Sequence, residues 1–138
     1  RSLKQKEFIY ESVKQFGDKF LYVSGCGPNT AEKKYSGKLN QTYSIEDGRK
    51  AAGDCILNIL ALLDRQIGLD NIKNIVKLLV FVASDDDFYM QPQVADGATE
   101  LLCGVFGPEA GCPSRSAIGV NVLPGNIPLE IEALVEIK

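Results

Sequence analysis

The chain has 138 residues, of which 45% are hydrophobic and 24% are charged, and its formal net charge is −3. This composition is typical of one folded globular domain, so residues 1–138 are interpreted as a single domain rather than as a disordered or fibrous chain. The absence of histidine excludes Ser-His-Asp and Cys-His catalytic pairs and histidine-ligated metal sites. Because no Lys/Arg-rich run and no bilayer-length apolar stretch occur, neither nucleic acid nor a membrane is expected as a partner.

The four cysteines, Cys26, Cys55, Cys103 and Cys112, are far apart and form no Cys-x-x-Cys pair. We expect free thiols in a reducing, cytoplasmic compartment, with Cys55 and Cys103 on buried helix faces. A four-thiolate zinc site or two disulfides are the alternatives.

The first elements form a predicted hairpin. Two strand-like runs, residues 9–16 and 19–24, flank the turn signal Gly17-Asp18. Alternation in the second run separates its side chains into two sets, with Phe20, Tyr22 and Ser24 on one face and Leu21 and Val23 on the other. The polar segment 29–42 is predicted to be a loop with, at most, one short edge strand.

A helix is predicted to begin at Ser44. The Ser44 hydroxyl can accept hydrogen bonds from first-turn N–H groups, and the carboxylates of Glu46 and Asp47 suit the positive end of the helix dipole. Apolar residues recur at helical spacing and define a buried stripe: Ala52, Cys55, Ile56, Ile59, Leu60 and Leu63. Gly68 is the predicted C-terminal cap.

The second half of the chain predicts a strand, a helix and two strands. Residues 72–83 are rich in β-branched residues, which favours a strand covered on both faces. The next helix is predicted to open at Ser84 with the acidic residues 85–87 and to stop at Gly107-Pro108. Its predicted buried face consists of Val94, Ala98, Leu101, Leu102 and Val105. Residues 115–120 and 129–137 are the last two predicted strands, joined through residues 123–126.

The resulting order, β-β-α-β-α-β-β, predicts an α+β domain in which both helices pack on one face of one mixed sheet. Two helices can cover only one side of such a sheet. The other side is predicted to be apolar as well, on the evidence of Leu21, Val23, Ile131, Ala133 and Val135. Oligomerisation would bury that face.

Arg115 begins a strand that is otherwise made of small and apolar residues. Its planar guanidinium can bind a carboxylate through two parallel hydrogen bonds, which Lys cannot do. The competing interpretation is a structural ion pair with Glu130 or Glu132. These two acids share one face of the last strand, either as a solvated face or with one carboxylate that orients or deprotonates water.

A larger pattern connects these residues. It comprises Ser114-Arg115-Ser116-Ala117, Gly119-Val120, Leu123-Pro124, Glu130-Ile131-Glu132-Ala133, and the weaker Tyr22-Val23-Ser24-Gly25, Asn58 and Val76-Lys77-Leu78-Leu79-Val80-Phe81-Val82. In this pattern the chain resembles the YjgF/RidA family from about Tyr10 to Lys138, with the C-terminal motif the most specific part.

The resemblance implies a chorismate-mutase-like (bacillus type) fold and a homotrimer with three clefts between subunits. It implies hydrolysis of a 2-imino acid, or its enamine tautomer, to a 2-keto acid and ammonia without a metal or cofactor. Arg115 matches the arginine that holds the substrate carboxylate, and Glu130 matches the acid that helps place the water. Ser24 and Tyr10 match a serine and a tyrosine of the pocket, and the residues after the arginine, Ser116 and Ala117, are expected to contact the substrate.

Several positions depart from the pattern of the family's deaminases. Ala117 stands where they commonly carry Cys, Cys26 stands where many members have Gln, and Gln91-Pro92 replaces a frequent Asn. A non-catalytic trimer that binds a 2-keto or other small carboxylic acid is therefore the alternative function, and a ribonuclease ranks third. A redox or metal-sensing role for Cys26 and Cys112 beside the cleft is a further hypothesis.

Overall fold

The computed structural model describes residues 9–138. Within them the elements are β1 (Val13–Phe16), β2 (Phe20–Cys26), α1 (Ile45–Ile67), β3 (Ile72–Ala83), α2 (Gln91–Gly111), β4 (Ser114–Val120) and β5 (Leu129–Ile137). Short 3-10 turns occupy Leu69–Asn71 and Pro124–Asn126. The predicted order of elements and the α+β class are confirmed.

The five strands form one sheet in the order β1-β2-β5-β3-β4. Strands β3 and β4 are parallel and are connected through α2, whereas every other neighbouring pair is antiparallel. Both helices pack against the same face of the sheet and against each other. β1 and β4 are consequently the two open edges.

The hairpin prediction is confirmed. The first strand begins at Val13 and is therefore shorter than the predicted run of residues 9–16. Gly17 provides the turn with φ of 61°, a left-handed conformation that glycine adopts at little cost. Leu21 and Val23 are buried, while Phe20 and Tyr22 of the same strand are exposed. The 29–42 segment is a loop whose one strand-like feature is an isolated bridge at Leu39.

The start and end of α1 are as predicted. The Ser44 hydroxyl accepts from the backbone N–H of Asp47, and the Asp47 carboxylate accepts from the N–H of Ser44, which forms a complete capping box. The predicted apolar stripe is buried throughout. Gly68 closes the helix with φ of 80° and donates its N–H to the carbonyl of Asp64.

The predicted start of the second helix is wrong. Ser84 bridges to Leu39, and the N–H of Asp85 donates to the Leu39 carbonyl, so these residues belong to a connection that ties β3 to the loop. The helix begins seven residues later, at Gln91, with a proline in its first turn. The acidic run therefore caps nothing, because the chain needs its backbone groups for tertiary pairing.

Gly107-Pro108 kinks α2 rather than ending it. Gly107 has φ of 86°, and helical structure resumes until Gly111. The predicted buried face is correct at Val94, Ala98 and Leu102 and wrong at Val105, which is 50% exposed. No helix within residues 9–138 has the length and apolarity needed to cross a membrane.

Two predictions about the sheet faces are wrong. The five residues expected on the uncovered side, Leu21, Val23, Ile131, Ala133 and Val135, are instead buried beneath the helices. β3 is covered on one face only, since its buried residues alternate with exposed and half-buried ones. The uncovered face nevertheless carries an aromatic cluster of Phe16, Phe20 and Tyr22, with ring centroids 5.6 and 6.4 Å from that of Phe16.

Candidate functional site

A cavity of about 590 Å³ opens where the end of β2 meets the outer face of α1. Its lining residues are Tyr10, Ser12, Ser24, Gly25, Cys26, Gly27, Asn29, Asn58, Ala61, Leu62, Arg65 and Ile127. It thus brings together Tyr10 and Ser24, two of the residues that the sequence pattern singled out.

Ser24 is held at the point where β2 becomes irregular. The pairing of β2 with β5 shifts between Val23 and Cys26, so the end of the strand bulges away from the ladder. The Ser24 N–H donates to the carbonyl of Ser12 at 2.9 Å, and its hydroxyl donates to the carbonyl of Glu11 at 2.7 Å. Because the hydroxyl proton is engaged, the oxygen of Ser24 is oriented to accept a hydrogen bond from a ligand.

Glu130 lies behind this strand end. It is half-buried on β5, and its Oε2 is so close to Gly25 that a Cβ atom there would be 2.6 Å away. Burial, with a smaller contribution from the negative charge of Glu130, raises the pKa of Cys26 to about 11. Cys26 is therefore a neutral thiol at physiological pH rather than a reactive thiolate.

The loop that follows β2 is fixed from α1. The side-chain amide of Asn58 donates to the carbonyls of Gly27 and Asn29 at 2.9 and 3.0 Å. Asn58 therefore shapes the cavity by holding its rim, and these bonds use both of its N–H groups.

Arg115 is remote from this cavity. On β4 it is paired with Leu78, a fully buried residue beneath the helices. The Arg115 side chain therefore projects from the same, helix-covered face of the sheet. Its Nη1 donates to Asp96 Oδ1 at 2.8 Å and to the hydroxyl of Thr99 at 3.1 Å, both on α2. The ion-pair partner is thus Asp96, and the predicted partners Glu130 and Glu132 are wrong.

Arg115 and Glu130 do not meet within one subunit. Glu130 is paired with Phe81 on the uncovered face, opposite to the face that Arg115 occupies. In addition, β4 and β5 are two strand spacings, or roughly 10 Å, apart.

Ser116 and Ala117 follow Arg115 on opposite faces of the same edge strand. Ser116 is paired with Leu79, and Ala117 with the buried Val80. Neither lines the cavity. Gln91, at the position of the expected Asn, donates to the carbonyl of Phe88 at 2.8 Å and to the Ser84 hydroxyl at 3.4 Å, which ties the start of α2 to the turn before it.

Arg65 lines the cavity but was not identified from the sequence. Asn58, Leu62 and Arg65 are spaced i, i+4, i+7 along α1 and all face the cavity. Helical spacing from Asn58 is the signal that could have found it.

The expectation of four free thiols is wrong. Cys103 and Cys112 form a disulfide with Cα atoms 5.1 Å apart, whereas Cys26 and Cys55 are free. The disulfide spans the kink of α2 and ends three residues before Arg115. Within residues 9–138, no group of three or more His, Cys, Asp or Glu side chains has a metal-binding arrangement.

Known proteins resemble this chain over nearly all of its described residues. A family model named Endoribonuclease L-PSP matches residues 8–137. Protein TCP17 of Trypanosoma cruzi is 40% identical over 120 residues, which are 86% of this chain and 75% of that protein.

Two solved structures agree in sequence and fold. Atu1372 of Agrobacterium tumefaciens, whose function is unknown, has a TM-score of 0.89 at 34% identity, with 94% of this chain and 82% of that chain covered. A Shewanella oneidensis protein described as a candidate endoribonuclease has a TM-score of 0.88 at 30% identity, with 99% and 90% covered.

Proposed function

Since this chain belongs to the YjgF/RidA family, whose model is named Endoribonuclease L-PSP, we propose that it hydrolyses 2-imino acids or their enamine tautomers to 2-keto acids and ammonia. The observation that carries the proposal is the cavity, in which Tyr10 and Ser24 converge while Glu130 packs against Gly25 in its wall. These are three of the residues that the family pattern relates to substrate and water.

The reaction suits this set of side chains. A protonated imine is already electrophilic at C2, so water can add to that carbon and the resulting carbinolamine then releases ammonia. The Ser24 oxygen, whose own proton is donated to Glu11, can accept from the iminium N–H. The Glu130 carboxylate can accept a proton from the attacking water. Orientation and hydrogen bonding therefore suffice, and no histidine is required.

Arg115 is the proposed anchor for the substrate carboxylate, and it would be supplied by a neighbouring subunit. Within residues 9–138 its hydrogen bonds are made by Nη1, so Nη2 and Nε are available for a second carboxylate. Its strand, β4, is an open sheet edge. The separation from Glu130 within one chain supports a site completed by a second copy, as in the proposed homotrimer with clefts between subunits. Burial of Phe16, Phe20 and Tyr22 would favour the same assembly.

A non-catalytic small-carboxylate binding protein is the second candidate. It is favoured by Ala117, where a pocket cysteine is usual, and by Cys26, where many family members have Gln. Both candidates require Arg115, and they differ in whether Glu130 is needed for turnover.

Endoribonuclease activity, the description that the Shewanella oneidensis relative carries, is less compatible with this chain. The net charge is −3, histidine is absent, and Arg65 is the one cation among the cavity residues that lie within 9–138. A polyanionic RNA backbone would gain little electrostatic attraction here.

Mixed oligomers test the proposal most directly. Arg115→Ala and Glu130→Gln subunits carrying different affinity tags are co-expressed, and particles containing both tags are purified. In a ring of three, each doubly tagged particle has one intact site, so we expect about one third of the wild-type rate of 2-iminobutanoate hydrolysis, with each variant alone inactive.

The competing explanations give other results. A site contained in one subunit would leave the mixed particles inactive. If the wild-type protein binds 2-oxobutanoate in an Arg115-dependent manner but does not accelerate hydrolysis, the binding function replaces the enzymatic one.

A further inference from the structure

Among the described residues that line the cavity, Arg65 is the one with a positive charge. We propose that Arg65 binds a second anionic group of the ligand, so that the site prefers 2-imino and 2-keto dicarboxylic acids to their monocarboxylic counterparts. This specificity rests on the proposed function for the reacting end of the ligand, and it adds a residue that the family pattern does not contain.

The position of Arg65 follows from the helix. Asn58, Leu62 and Arg65 form one stripe along α1, and the Asn58 amide is fully used on the loop carbonyls. Leu62, Ala61 and Ile127 supply apolar surface in the same cavity. A ligand with a short carbon chain and a second anionic group therefore matches this combination of apolar surface and one guanidinium.

Arg65 is exposed and has no ion-pair partner among the described residues. Arg49 pairs with Glu100 at 2.6 Å and Arg115 pairs with Asp96 at 2.8 Å, whereas Arg65 forms no ion pair with any residue in the range 9–138. The neighbouring Asp64 is engaged elsewhere, because its Oδ1 accepts from the N–H of Leu69 at 3.2 Å. Among the described lining residues Arg65 is the one charged side chain, and the Glu130 carboxylate lies behind Gly25 at the end of β2.

A structural explanation for Arg65 is its place in the last turn of α1, where a cation interacts favourably with the helix dipole. That interaction requires only charge near the helix end. Binding of a planar carboxylate by two hydrogen bonds requires the guanidinium, so Arg65→Lys separates the two roles.

The test uses calorimetric titration of the full chain with 2-oxoglutarate and with 2-oxobutanoate. Wild-type protein is expected to bind the dicarboxylate about tenfold more tightly or better. Arg65→Gln is expected to lose that preference, with 2-oxobutanoate affinity within about twofold of wild type, and Arg65→Lys to recover part of it. Lys50→Gln removes a positive charge from an exposed position of the same helix outside the cavity and serves as the matched control.

The inference is overturned if wild-type protein shows no dicarboxylate preference, if it binds neither acid, or if Arg65→Gln weakens both acids equally. Hydrolysis of the corresponding imines is measured in parallel. Arg65-dependent binding of the dicarboxylate without any hydrolysis would retain this inference and reject the enzymatic function. Equal hydrolysis of both imines by wild type and Arg65→Gln would retain the enzymatic function and reject the inference about Arg65.

Discussion

Gly25 and Glu130 are so closely packed that a Cβ atom on Gly25 would lie 2.6 Å from Oε2 and 2.7 Å from the carboxyl carbon of Glu130. Gly25 has no positive φ, so the need for glycine here is one of space rather than of backbone conformation. The bulged end of β2 and the carboxylate of β5 thus determine each other's positions. Because Gly25 also lines the cavity, this contact links the wall of the cavity to the proposed water-positioning acid.

Gly25→Ala is expected to displace the Glu130 carboxylate while the fold is retained. On the proposed mechanism the rate of 2-imino acid hydrolysis falls about tenfold or more, because small displacements of a group that orients water are costly. The matched control is Gly53→Ala, a position where an added Cβ has no atom within 4 Å. A Gly25→Ala enzyme with unchanged kcat would show that Glu130 does not need its observed position.

Gly97→Ala and Gly104→Ala are expected to change stability in opposite directions, although both lie in α2. A Cβ on Gly97 would overlap the backbone carbonyl of Arg49 on α1, which cannot move aside as a flexible side chain can. We expect a loss of about 1–3 kcal/mol in the free energy of unfolding. Gly104 has open space around it, so alanine there should gain about 0.5–1 kcal/mol.

Urea unfolding followed by circular dichroism measures both variants. Equal midpoints for the two would contradict the close approach of α1 and α2 at Gly97. A change in the slope of the transition would indicate an altered unfolded or native state instead.

Features governed by neighbours in sequence could be predicted. The capping residues Ser44 and Asp47 act within one helical turn, and the conformations of Gly17 and Gly68 follow from the turn or cap that each occupies. Alternation along β2 correctly separated Leu21 and Val23 from Phe20 and Tyr22, although the set that the helices cover was assigned wrongly. Such local rules were sufficient for the order of elements.

Features that depend on tertiary partners could not be predicted from the sequence. The acidic run after Ser84 has the composition of a helix start, but the backbone of Asp85 is bonded to Leu39, more than 40 residues earlier. Glu130 and Glu132 of the last strand were the expected partners of Arg115, yet its partner Asp96 lies on the helix packed above it. An alternating pattern separates the two faces of a sheet but does not say which face the helices cover. The apolar face was therefore assigned to the wrong side.

The disulfide can be tested by counting thiols. Denatured, non-reduced protein is expected to react with a thiol reagent at two cysteines, Cys26 and Cys55, and at four after reduction. Because the bond closes a loop with a sequence separation of 9, removing it by Cys103→Ser with Cys112→Ser should cost about 2–3 kcal/mol of stability. Four reactive thiols without reduction would restore the expectation of free cysteines.

Asp96→Asn tests whether the ion pair positions Arg115. The Asp96 side chain is 45% exposed, so we expect at most about 1 kcal/mol of lost stability. On the proposed function Arg115 becomes less ordered, and KM for a 2-imino acid should rise about threefold to tenfold with little change in kcat. Glu100→Gln, which removes the corresponding partner of Arg49, is the matched control. An unchanged KM would limit Asp96 to a structural role.

Cys26 provides a test that depends on pH. Burial and the nearby Glu130 raise its pKa from an ordinary value near 9 to about 11, so iodoacetamide labelling of Cys26 should increase with a midpoint near pH 11. The folded chain then holds a proton that the unfolded chain has lost between these two values. Folding stability is therefore expected to decline as the pH rises from about 9 to 11.

Comparison with Cys26→Ser isolates this contribution from the other groups that titrate in the same range. The serine variant should lose less stability over the interval, and Glu130→Gln should lower the pKa of Cys26 and speed its labelling at a given pH. Mass spectrometry identifies the labelled residue. A labelling midpoint near pH 9 in the folded wild-type protein would mean that Cys26 is solvated and that Glu130 does not approach the strand end as closely as the structure has it.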